Sequence, residues 1–357
     1  MNVVKAETVG ELCVQWGSCL TVRDLDQAEK FRHSVHEMLA TMEPDDKVIA
    51  YVQLLDLKND IIMENITEEY DASWPKDQMD YMLDFYHYYY QGRFEFYHDR
   101  YKSAITLYNK AEEVLHYVKD DMEKAEFFQQ YGFSYYRIDH FTSATKYIEM
   151  ALHLFEKDPL YKERLLNCYI VLGGIRVDLN LFEEAENLYN IALKQSDNYP
   201  VTKALLQRSL GLMHMRKQSL VEAQAYFEEA LEIPAHAESI AGIKSITNLA
   251  MIYYRLNEPS KANHYYQTAF DGAKEKNLKE YLIRLEIIDN LFHGEFSENS
   301  LDQSMETIVK LDCPTALIAE EVSDVLKEQG NVDLALKYMR LAYETRIQSS
   351  ILGGDQL

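Results

Sequence analysis

Residues that form tight turns are scarce in this chain, which has only 13 Gly and 7 Pro among 357 residues. An all-β fold needs many tight turns, and those turns depend on such residues. No run of about 18 apolar residues occurs, and the N-terminal MNVVKAETVGELCVQW lacks the apolar core of a signal peptide. We therefore expect long helices in a cytoplasmic protein that does not contact the membrane.

Cysteine is also rare, and the spacing of the four cysteines excludes the usual motifs. Cys13, Cys19, Cys168 and Cys313 form no C-x-x-C pair, so neither a zinc site nor a disulfide framework is indicated. The chain has no G-x-S-x-G, P-loop, H-E-x-x-H or Gly-rich nucleotide fingerprint. We predict free thiols and no metal site or cofactor.

Positive charge is in deficit, with 36 Lys and Arg against 59 Asp and Glu and a net charge of −23. No basic stripe interleaved with aromatics offsets this locally, so direct binding of nucleic acid is excluded as a function. The same acidity attracts partners with a basic surface, such as the DNA-binding face of a transcription factor.

An internal repeat is the main positive signal in the chain. A small residue is followed twelve positions later by Ala, then by a large apolar residue four further on and by Ala three beyond that. The instances are Gly92, Ala104, Tyr108, Ala111; Gly132, Ala144, Ile148, Ala151; Gly173, Ala185, Tyr189, Ala192; Gly211, Ala223, Phe227, Ala230; Ala250, Ala262, Tyr266, Ala269; and a weaker Ala335, Met339, Ala342. Small residues at such intervals let two helices approach closely, which predicts tetratricopeptide-type helix pairs.

The repeat fills the C-terminal three quarters of the chain. Successive central alanines from Ala104 to Ala262 are 38 to 41 residues apart. The gap from Ala262 to Ala335 leaves room for a degenerate unit around residues 280–311, and Gly330-Asn331 predicts a turn inside the last unit. We predict six to seven units over residues 80–350.

The N-terminal residues 1–66 lack the repeat and contain three amphipathic stretches at 8–20, 26–42 and 45–65. Asp24 or Asp26, and Asp45, are candidate N-caps, because their carboxylates can accept the free N–H groups of a first helical turn. Residues 67–79 are polar and include Pro75, which is typical of a linker. The sequence thus predicts an all-α protein, with a three-helix bundle, a linker and a tetratricopeptide-repeat superhelix.

Four segments of the chain resemble the Rap family, the response-regulator aspartate phosphatases and anti-activators of bacilli. These are Leu12-x-x-x-Trp16, Met42-Glu43-x-Asp45, the stretch MLDFYHYYYQGRFEF with YKSAI (82–105), and the octapeptide DDMEKAEF (120–127). The octapeptide is the most specific, because the repeat pattern alone does not require it. The resemblance covers essentially the whole chain.

The resemblance implies a regulator of two-component signalling. Members bind response regulators, and a short signalling peptide binds in the superhelix and rearranges the bundle. Some members hydrolyse the aspartyl phosphate of a sporulation regulator, in which case any Mg²⁺ belongs to that regulator. Others hold the DNA-binding domain of a competence-type regulator away from DNA without chemistry.

One position bears on the choice between these activities. In phosphatase members, a Gln after the Met-Glu-x-Asp run orients the attacking water, whereas this chain has Asp46 there. A carboxylate is repelled by a phosphoryl dianion, and Gln53 lies about 10 Å further along a helix. The sequence favours inhibition by sequestration, with a phosphatase as the alternative and a generic peptide-binding scaffold as a further one.

The resemblance and the repeat offsets define two sets of candidate site residues. The predicted response-regulator contacts in the bundle are Trp16, Glu43, Asp45, Asp46, Gln53 and Leu57. The predicted peptide contacts on the first helices of the repeats are Tyr89, Phe133, Tyr136, Asn167, Arg208, Ser209, Lys244, Asn248 and Tyr254. An Asn two positions before the small residue can clamp a peptide backbone; Asn248 fits, while Ser209 and Val171 stand at the same place in the two preceding units.

Overall fold

The described part of the chain is built of helices. The structure is a computed structural model, and it describes residues 3–22, 24–63, 81–293, 295–311 and 314–352. Within these ranges no strand occurs beyond an isolated bridge between Val4 and Met42. The helices are α1 (Ala6–Val22), α2 (Leu25–Leu39), α3 (Asp46–Ile62), α4 (Tyr81–Tyr97), α5 (Tyr101–Val114), α6 (Asp121–Arg137), α7 (Phe141–Phe155), α8 (Lys162–Asp178), α9 (Phe182–Leu193), α10 (Pro200–Arg216), α11 (Leu220–Leu231), α12 (Pro234–Ala237), α13 (Ile240–Arg255), α14 (Pro259–Glu275), α15 (Lys279–Phe292), α16 (Glu298–Lys310), α17 (Thr315–Glu328) and α18 (Val332–Leu352).

Helices α1 to α3 form the predicted N-terminal bundle around an apolar core that includes Val9, Trp16 and Val35. Asp24 caps α2 by accepting the Gln27 N–H at 3.2 Å, so of the two candidates it is Asp24 that caps. The bundle's ends are thus fixed by side-chain oxygens that accept free backbone N–H groups. The predicted linker 67–79 and the bundle boundary at 66 lie outside the described residues.

Seven helix pairs follow the bundle: α4/α5, α6/α7, α8/α9, α10/α11, α13/α14, α15/α16 and α17/α18. In four of them the small residue is a glycine that admits the large apolar residue of the second helix. A Cβ built on Gly92 or Gly173 would lie 2.4 Å and 2.3 Å from the facing tyrosine rings, so no larger residue fits there. The all-α class, with a bundle followed by tetratricopeptide-type pairs, is confirmed, and the degenerate unit is the pair α15/α16.

The turn between the two helices of a pair has a recurrent backbone conformation. Five residues before the central alanine, the chain adopts a positive φ of 58° to 83°. Asp and Asn tolerate this left-handed conformation better than most residues, and Gly adopts it without strain. The positions are Asp99, Asp139, Asn180, Gln218, Asn257 and Gly330, the last of which confirms the predicted turn.

The chain divides into two compact units. Unit 1 comprises residues 1–138 and 142–154, and unit 2 comprises residues 139–141 and 155–357. Unit 1 therefore holds the bundle and the first two helix pairs, while unit 2 holds the later pairs. Among the described residues, no helix combines the length and the apolar character needed to cross a membrane.

Candidate functional site

The acidic residues Glu43 and Asp45 of the Met-Glu-x-Asp run stabilise the bundle by accepting backbone N–H groups at helix starts. The Glu43 Oε1 atom accepts the Ala6 N–H at 3.0 Å, at the first residue of α1. Asp45 is the N-cap of α3, because its Oδ1 atom accepts the N–H groups of Lys47 and Val48, both at 3.0 Å. The run therefore fixes where two of the three bundle helices begin.

Asp46 is the first residue of α3, and its side chain is exposed. A carboxylate at this place is stabilised by the free N–H groups and the dipole of the helix N-terminus. Gln53 is also exposed and lies two turns further along the same helix. Of the six residues predicted to contact a response regulator, Glu43, Asp46 and Gln53 reach the surface most fully.

Trp16 and Leu57 lie inside unit 1 and not on its surface. Trp16 is 0% exposed, and its indole N–H donates to the Asn59 side-chain oxygen at 3.4 Å. Leu57 is 4% exposed. Neither side chain can touch a partner while the bundle keeps this packing, which does not fit their predicted role as response-regulator contacts; Trp16 instead packs in the bundle core.

The octapeptide 120–127 joins the bundle to the first repeats. Asp120 caps α6 by accepting the Met122 N–H at 2.7 Å. Glu123 accepts the Tyr86 hydroxyl of α4 at 2.6 and 2.7 Å and lies near the buried Lys58 of α3. Phe127 is fully buried. Each of these residues has a structural task, which explains why this segment departs from what the repeat alone requires.

Burial perturbs the ionisation of this junction. Desolvation raises the pKa of Glu123, while the Tyr86 hydroxyl and the Lys58 ammonium oppose that rise. Desolvation together with the Glu123 carboxylate raises the pKa of Tyr86 well above its ordinary value. Because the carboxylate is already engaged by a hydroxyl and a cation, we assign it to structure and not to acid–base chemistry.

The three peptide candidates in unit 1 are aromatic, and they differ in burial. Tyr89 is 4% exposed and packs against Phe85 and Phe127, with ring centroids 5.7 and 5.9 Å apart. Phe133 and Tyr136 are partly buried on α6. Tyr89 therefore belongs to the core of the first repeats, whereas Phe133 and Tyr136 retain surface for a contact.

A small cleft in unit 2 contains Asn248 of α13, with room for about one water molecule. The Asn248 side chain is 3% exposed and lines this cleft. Its amide offers both donors and an acceptor to a ligand or water in the cleft. The other lining residues are Thr247, Met251, Arg284, Ile287, Ile288, Ile318, Glu321 and Val322.

An ion pair crosses this cleft from α15 to α17. The Arg284 guanidinium lies 2.7 Å from Glu321 and 3.7 Å from Glu280. Burial acts to lower the pKa of Arg284, but Glu321, Tyr281 and Glu280 together outweigh it, so the pKa lies above its ordinary value. The Tyr281 ring has the Lys244 ammonium 5.0 Å from its centroid and the Arg284 guanidinium 5.3 Å away. Lys244, a predicted peptide contact, is thus placed beside the cleft through Tyr281.

The remaining peptide candidates in unit 2 are spread over three helices. Ser209 is 8% exposed, and its hydroxyl donates to the Leu205 carbonyl of its own helix at 2.8 Å. Asn167 and Arg208 are partly buried on α8 and α10. The Tyr254 hydroxyl lies 2.6 Å from His293 Nε2. Of the predicted set, only Asn248 lines the cleft.

Sequence reasoning missed the residues that α15 and α17 contribute to the cleft, above all Arg284 and Glu321. The degenerate unit has no small residue from which to count offsets, and the last unit has Ser323 in that place. The available signal was apolar periodicity alone, which predicts a helix but not which residues face a neighbour. Within the described ranges, no group of three or more His, Cys, Asp or Glu side chains is arranged to hold a metal ion.

Two protein-family models match the chain. Residues 3–64 match the N-terminal domain of response regulator aspartate phosphatase H, and residues 202–275 match a tetratricopeptide repeat. The first match spans the bundle, and the second spans all but the first two residues of α10 and the whole of α11 to α14.

Similar proteins extend the match to nearly the full length. The chain is 24% identical to response regulator aspartate phosphatase I of Bacillus subtilis (strain 168), over 93% of this chain and 89% of that protein. It is 34% identical to a Rhodococcus hoagii protein named type II methyltransferase M.CeqI, over 99% of this chain and 70% of that protein.

Among solved structures, the crystal structure of a Rap protein complexed with Competence and Sporulation Factor has the same fold. The TM-score is 0.88 at 22% identity, over 97% of this chain and 99% of the other. At this identity the likeness concerns the fold.

Proposed function

Because the chain belongs to the Rap family of signalling regulators, we propose that it binds a two-component response regulator and inhibits it by stoichiometric sequestration. The binding surface in this proposal is the exposed part of the bundle, around Asp46 and Gln53, together with the first repeats. The acidic surface of the chain favours a basic partner such as a DNA-binding domain. The result of binding is a regulator held away from DNA.

The observation that carries this proposal is the exposed carboxylate of Asp46 at the start of α3. Hydrolysis of an acyl phosphate needs a water held in line with the phosphorus atom, and charge neutralisation around the phosphoryl oxygens. An amide can orient that water without adding charge. A carboxylate adds negative charge beside a dianion, which raises the barrier and leaves binding as the supported activity.

The test incubates the full chain with a panel of response regulators carrying phosphoaspartate. Sequestration predicts a one-to-one complex by size-exclusion chromatography and no faster loss of phosphate than in the regulator alone. Rapid phosphate release at substoichiometric protein would refute sequestration and establish the alternative, a protein aspartyl-phosphate phosphatase. Failure of every regulator to bind would favour the further alternative, a generic peptide-binding scaffold.

Two variants separate chemistry from surface charge. Asp46→Gln restores the amide of the phosphatase members, and we expect it to increase phosphate hydrolysis at an unchanged stoichiometry of binding. Asp26→Gln is the matched control, because Asp26 is also an exposed carboxylate in the first turn of a bundle helix. Equal gains from both variants would show that net charge, and not the position after Asp45, governs hydrolysis.

We also propose that a short peptide binds unit 2 with its backbone held by Asn248. The buried amide of Asn248 supports this, since it offers a donor and an acceptor in the pattern of a peptide group. The cleft has room for about one water, so binding requires α15 and α17 to move away from α13. Breaking the Arg284–Glu321 ion pair is part of that opening.

The peptide proposal is tested with a library of synthetic pentapeptides and a fluorescence binding assay. Asn248→Ala should weaken binding of any hit by about tenfold, as expected for loss of one or two hydrogen bonds. Asn187→Ala, at an exposed position on α9, is the control and should leave affinity unchanged. Equal binding by Asn248→Ala would place the peptide elsewhere.

We do not propose methyl transfer, the activity in the name of the Rhodococcus relative, as a function of this chain. Sites of the doubly wound type for nucleotide-derived cofactors use a Gly-rich turn between a strand and a helix. This sequence has no such fingerprint, and the described residues contain no strand to precede it.

A further inference from the structure

Helix α18, the second helix of the last pair, carries a stripe of exposed apolar side chains. Val332 is 57% exposed, Leu336 64%, Met339 41%, Tyr343 65% and Ile347 37%. The spacings of four, three, four and four residues place all five on one narrow strip of the helix surface. We refer to these five residues as the C-terminal stripe.

The corresponding face of earlier second helices contacts the next repeat. Glu112 of α5 accepts the hydroxyl of Tyr147, in the following pair, at 3.0 Å. Glu228 of α11 likewise accepts the hydroxyl of Tyr253, in the following pair. This face of a second helix is therefore where the next unit stacks.

In α18 the equivalent positions have no following repeat packed on them within the described residues. Tyr343 lies eight residues after the central Ala335, as Glu112 does after Ala104. Arg340 lies five residues after Ala335, as Glu228 does after Ala223. Within the described residues no helix covers them. An exposed apolar face of this kind attracts other molecules, and the C-terminal stripe is such a face.

We propose that the C-terminal stripe is the interface with a second copy of this chain, whose α18 packs antiparallel to the first about a two-fold axis near Met339. A two-fold interface requires one surface to complement itself. Val332 and Ile347 are equally distant from the point between residues 339 and 340, and so are Leu336 and Tyr343. In antiparallel register the stripe therefore meets itself, apolar residue against apolar residue.

The charges beside the stripe fit a copy of the chain better than a charged partner. Arg340 and Glu344 are joined by a 2.7 Å ion pair and lie on the flank of the stripe. This flank is locally near neutral although the whole chain carries −23. Neither a strongly basic nor a strongly acidic partner is selected there, and two like copies can meet without bringing strong like charges together.

Sedimentation of the full chain over a range of concentrations tests the proposal. We expect a species of twice the 41.8 kDa chain mass at tens of micromolar. Leu336→Asp places two carboxylates in the interface and should raise the dissociation constant about a hundredfold or more. Val221→Asp, at a side chain on α11 that is 65% exposed, should leave the dimer unchanged.

Cysteine cross-linking tests the antiparallel register. Met339→Cys brings two thiols together at the axis and should give a disulfide-linked dimer above the level formed by the native cysteines. Val332→Cys should not, because the two copies of residue 332 lie about 22 Å apart in this register. A chain that is monomeric at all concentrations, a dimer that survives Leu336→Asp, or efficient linkage through residue 332 would each overturn the proposal.

Discussion

The bundle and the repeats hold their helices by different means. In the bundle, side-chain oxygens of Glu43 and Asp45 fix the starts of α1 and α3. In the repeats, the second helices α5, α9, α11 and α14 begin without a side-chain cap, whereas α6, α13 and α16 are capped. Glycines facing large rings set the spacing in the pairs α4/α5, α8/α9 and α10/α11. The helix starts of the bundle thus depend on directional hydrogen bonds, whereas the spacing of these three repeat pairs depends on shape.

Because of this difference, the bundle and the repeats tolerate different substitutions without losing their fold. A packing contact that excludes a single methyl group tolerates almost no substitution, so the repeats form a rigid frame. A cap contributes about 1 kcal/mol, so the bundle's helix ends can be remodelled at modest cost. The surface proposed to contact a response regulator is therefore placed on the part of the chain that is easier to rearrange.

The strongest test of this contrast is Gly173→Ala. The added methyl would lie 2.3 Å from the Tyr189 ring, which is 2% exposed and cannot withdraw. We expect unit 2 to lose about 3 kcal/mol of stability, at the upper end of overpacking effects. Hydrogen exchange of amides in α8 and α9 measures the loss locally, which matters because a repeat array need not unfold in one step.

Gly10→Ala in the bundle is the matched control. Nothing lies within 4 Å of a Cβ built on Gly10, so the substitution adds helix propensity without a clash. It should stabilise α1 by about 0.5 to 1 kcal/mol. If both substitutions changed the stability in the same direction, close packing against glycine would not be what distinguishes the repeats from the bundle.

Acid should weaken the repeats before the bundle. Burial lowers the pKa of His236, in unit 2, to about 4, aided by the nearby Arg208 cation, and burial lowers the pKa of His87, in α4, to about 4. Each unfolded histidine binds its proton near pH 6.5, so the free energy of unfolding falls as pH drops from about 6.5 to about 4 and then levels off.

Between pH 7 and pH 4.5 the His236 contribution should be about 2 kcal/mol. His236→Gln should remove it, as measured by urea denaturation at pH 7 and pH 4.5. His264→Gln, at an exposed position in unit 2, is the control and should keep the full pH dependence. Retention of the slope in His236→Gln would assign the acid sensitivity to other groups.

Sequence reasoning succeeded where spacing carries the information. The distance from Gly92 to Ala104 and Tyr108 predicts a helix pair because only small residues permit that crossing. The positive-φ position five residues before each central alanine was equally legible, since it is Asp, Asn or Gly in five of six pairs. The sequence analysis predicted a turn only at Gly330, although Asp99 and Asn180 also lie five residues before a central alanine and also have a residue type that tolerates positive φ.

Reasoning from the sequence could not place side chains whose neighbours come from distant repeats. Trp16 carries a family motif, yet its burial depends on contacts with α2 and α3 that no local pattern specifies. Arg284 and Glu321 approach within 2.7 Å although 37 residues separate them. Such pairs depend on how successive helices stack, and small rotations of a helix decide them.

Removal of one cap should cost the bundle a moderate amount. Asp45→Ala leaves the N–H groups of Lys47 and Val48 without their acceptor and should lower stability by about 1 kcal/mol. Ser219→Ala is the matched change in the repeats, because Ser219 occupies the N-cap of α11 without making a cap bond. It should have less than half that effect in the same urea titration. Equal losses would mean that Ser219 stabilises the start of α11 as strongly as a hydrogen-bonded cap does.

The smallest expected effect is that of Asp46→Gln. Asp46 is exposed and makes no cap bond of its own within the described residues, so its contribution is the interaction of one charge with the helix N-terminus. Losing that charge should lower the stability of the bundle by about 0.5 kcal/mol or less. Thermal melts of the variant and of Asp26→Gln should therefore nearly coincide with the parent. Because the fold is then unchanged, any phosphatase activity gained by Asp46→Gln is attributable to the amide, and a clear loss of stability would remove that attribution.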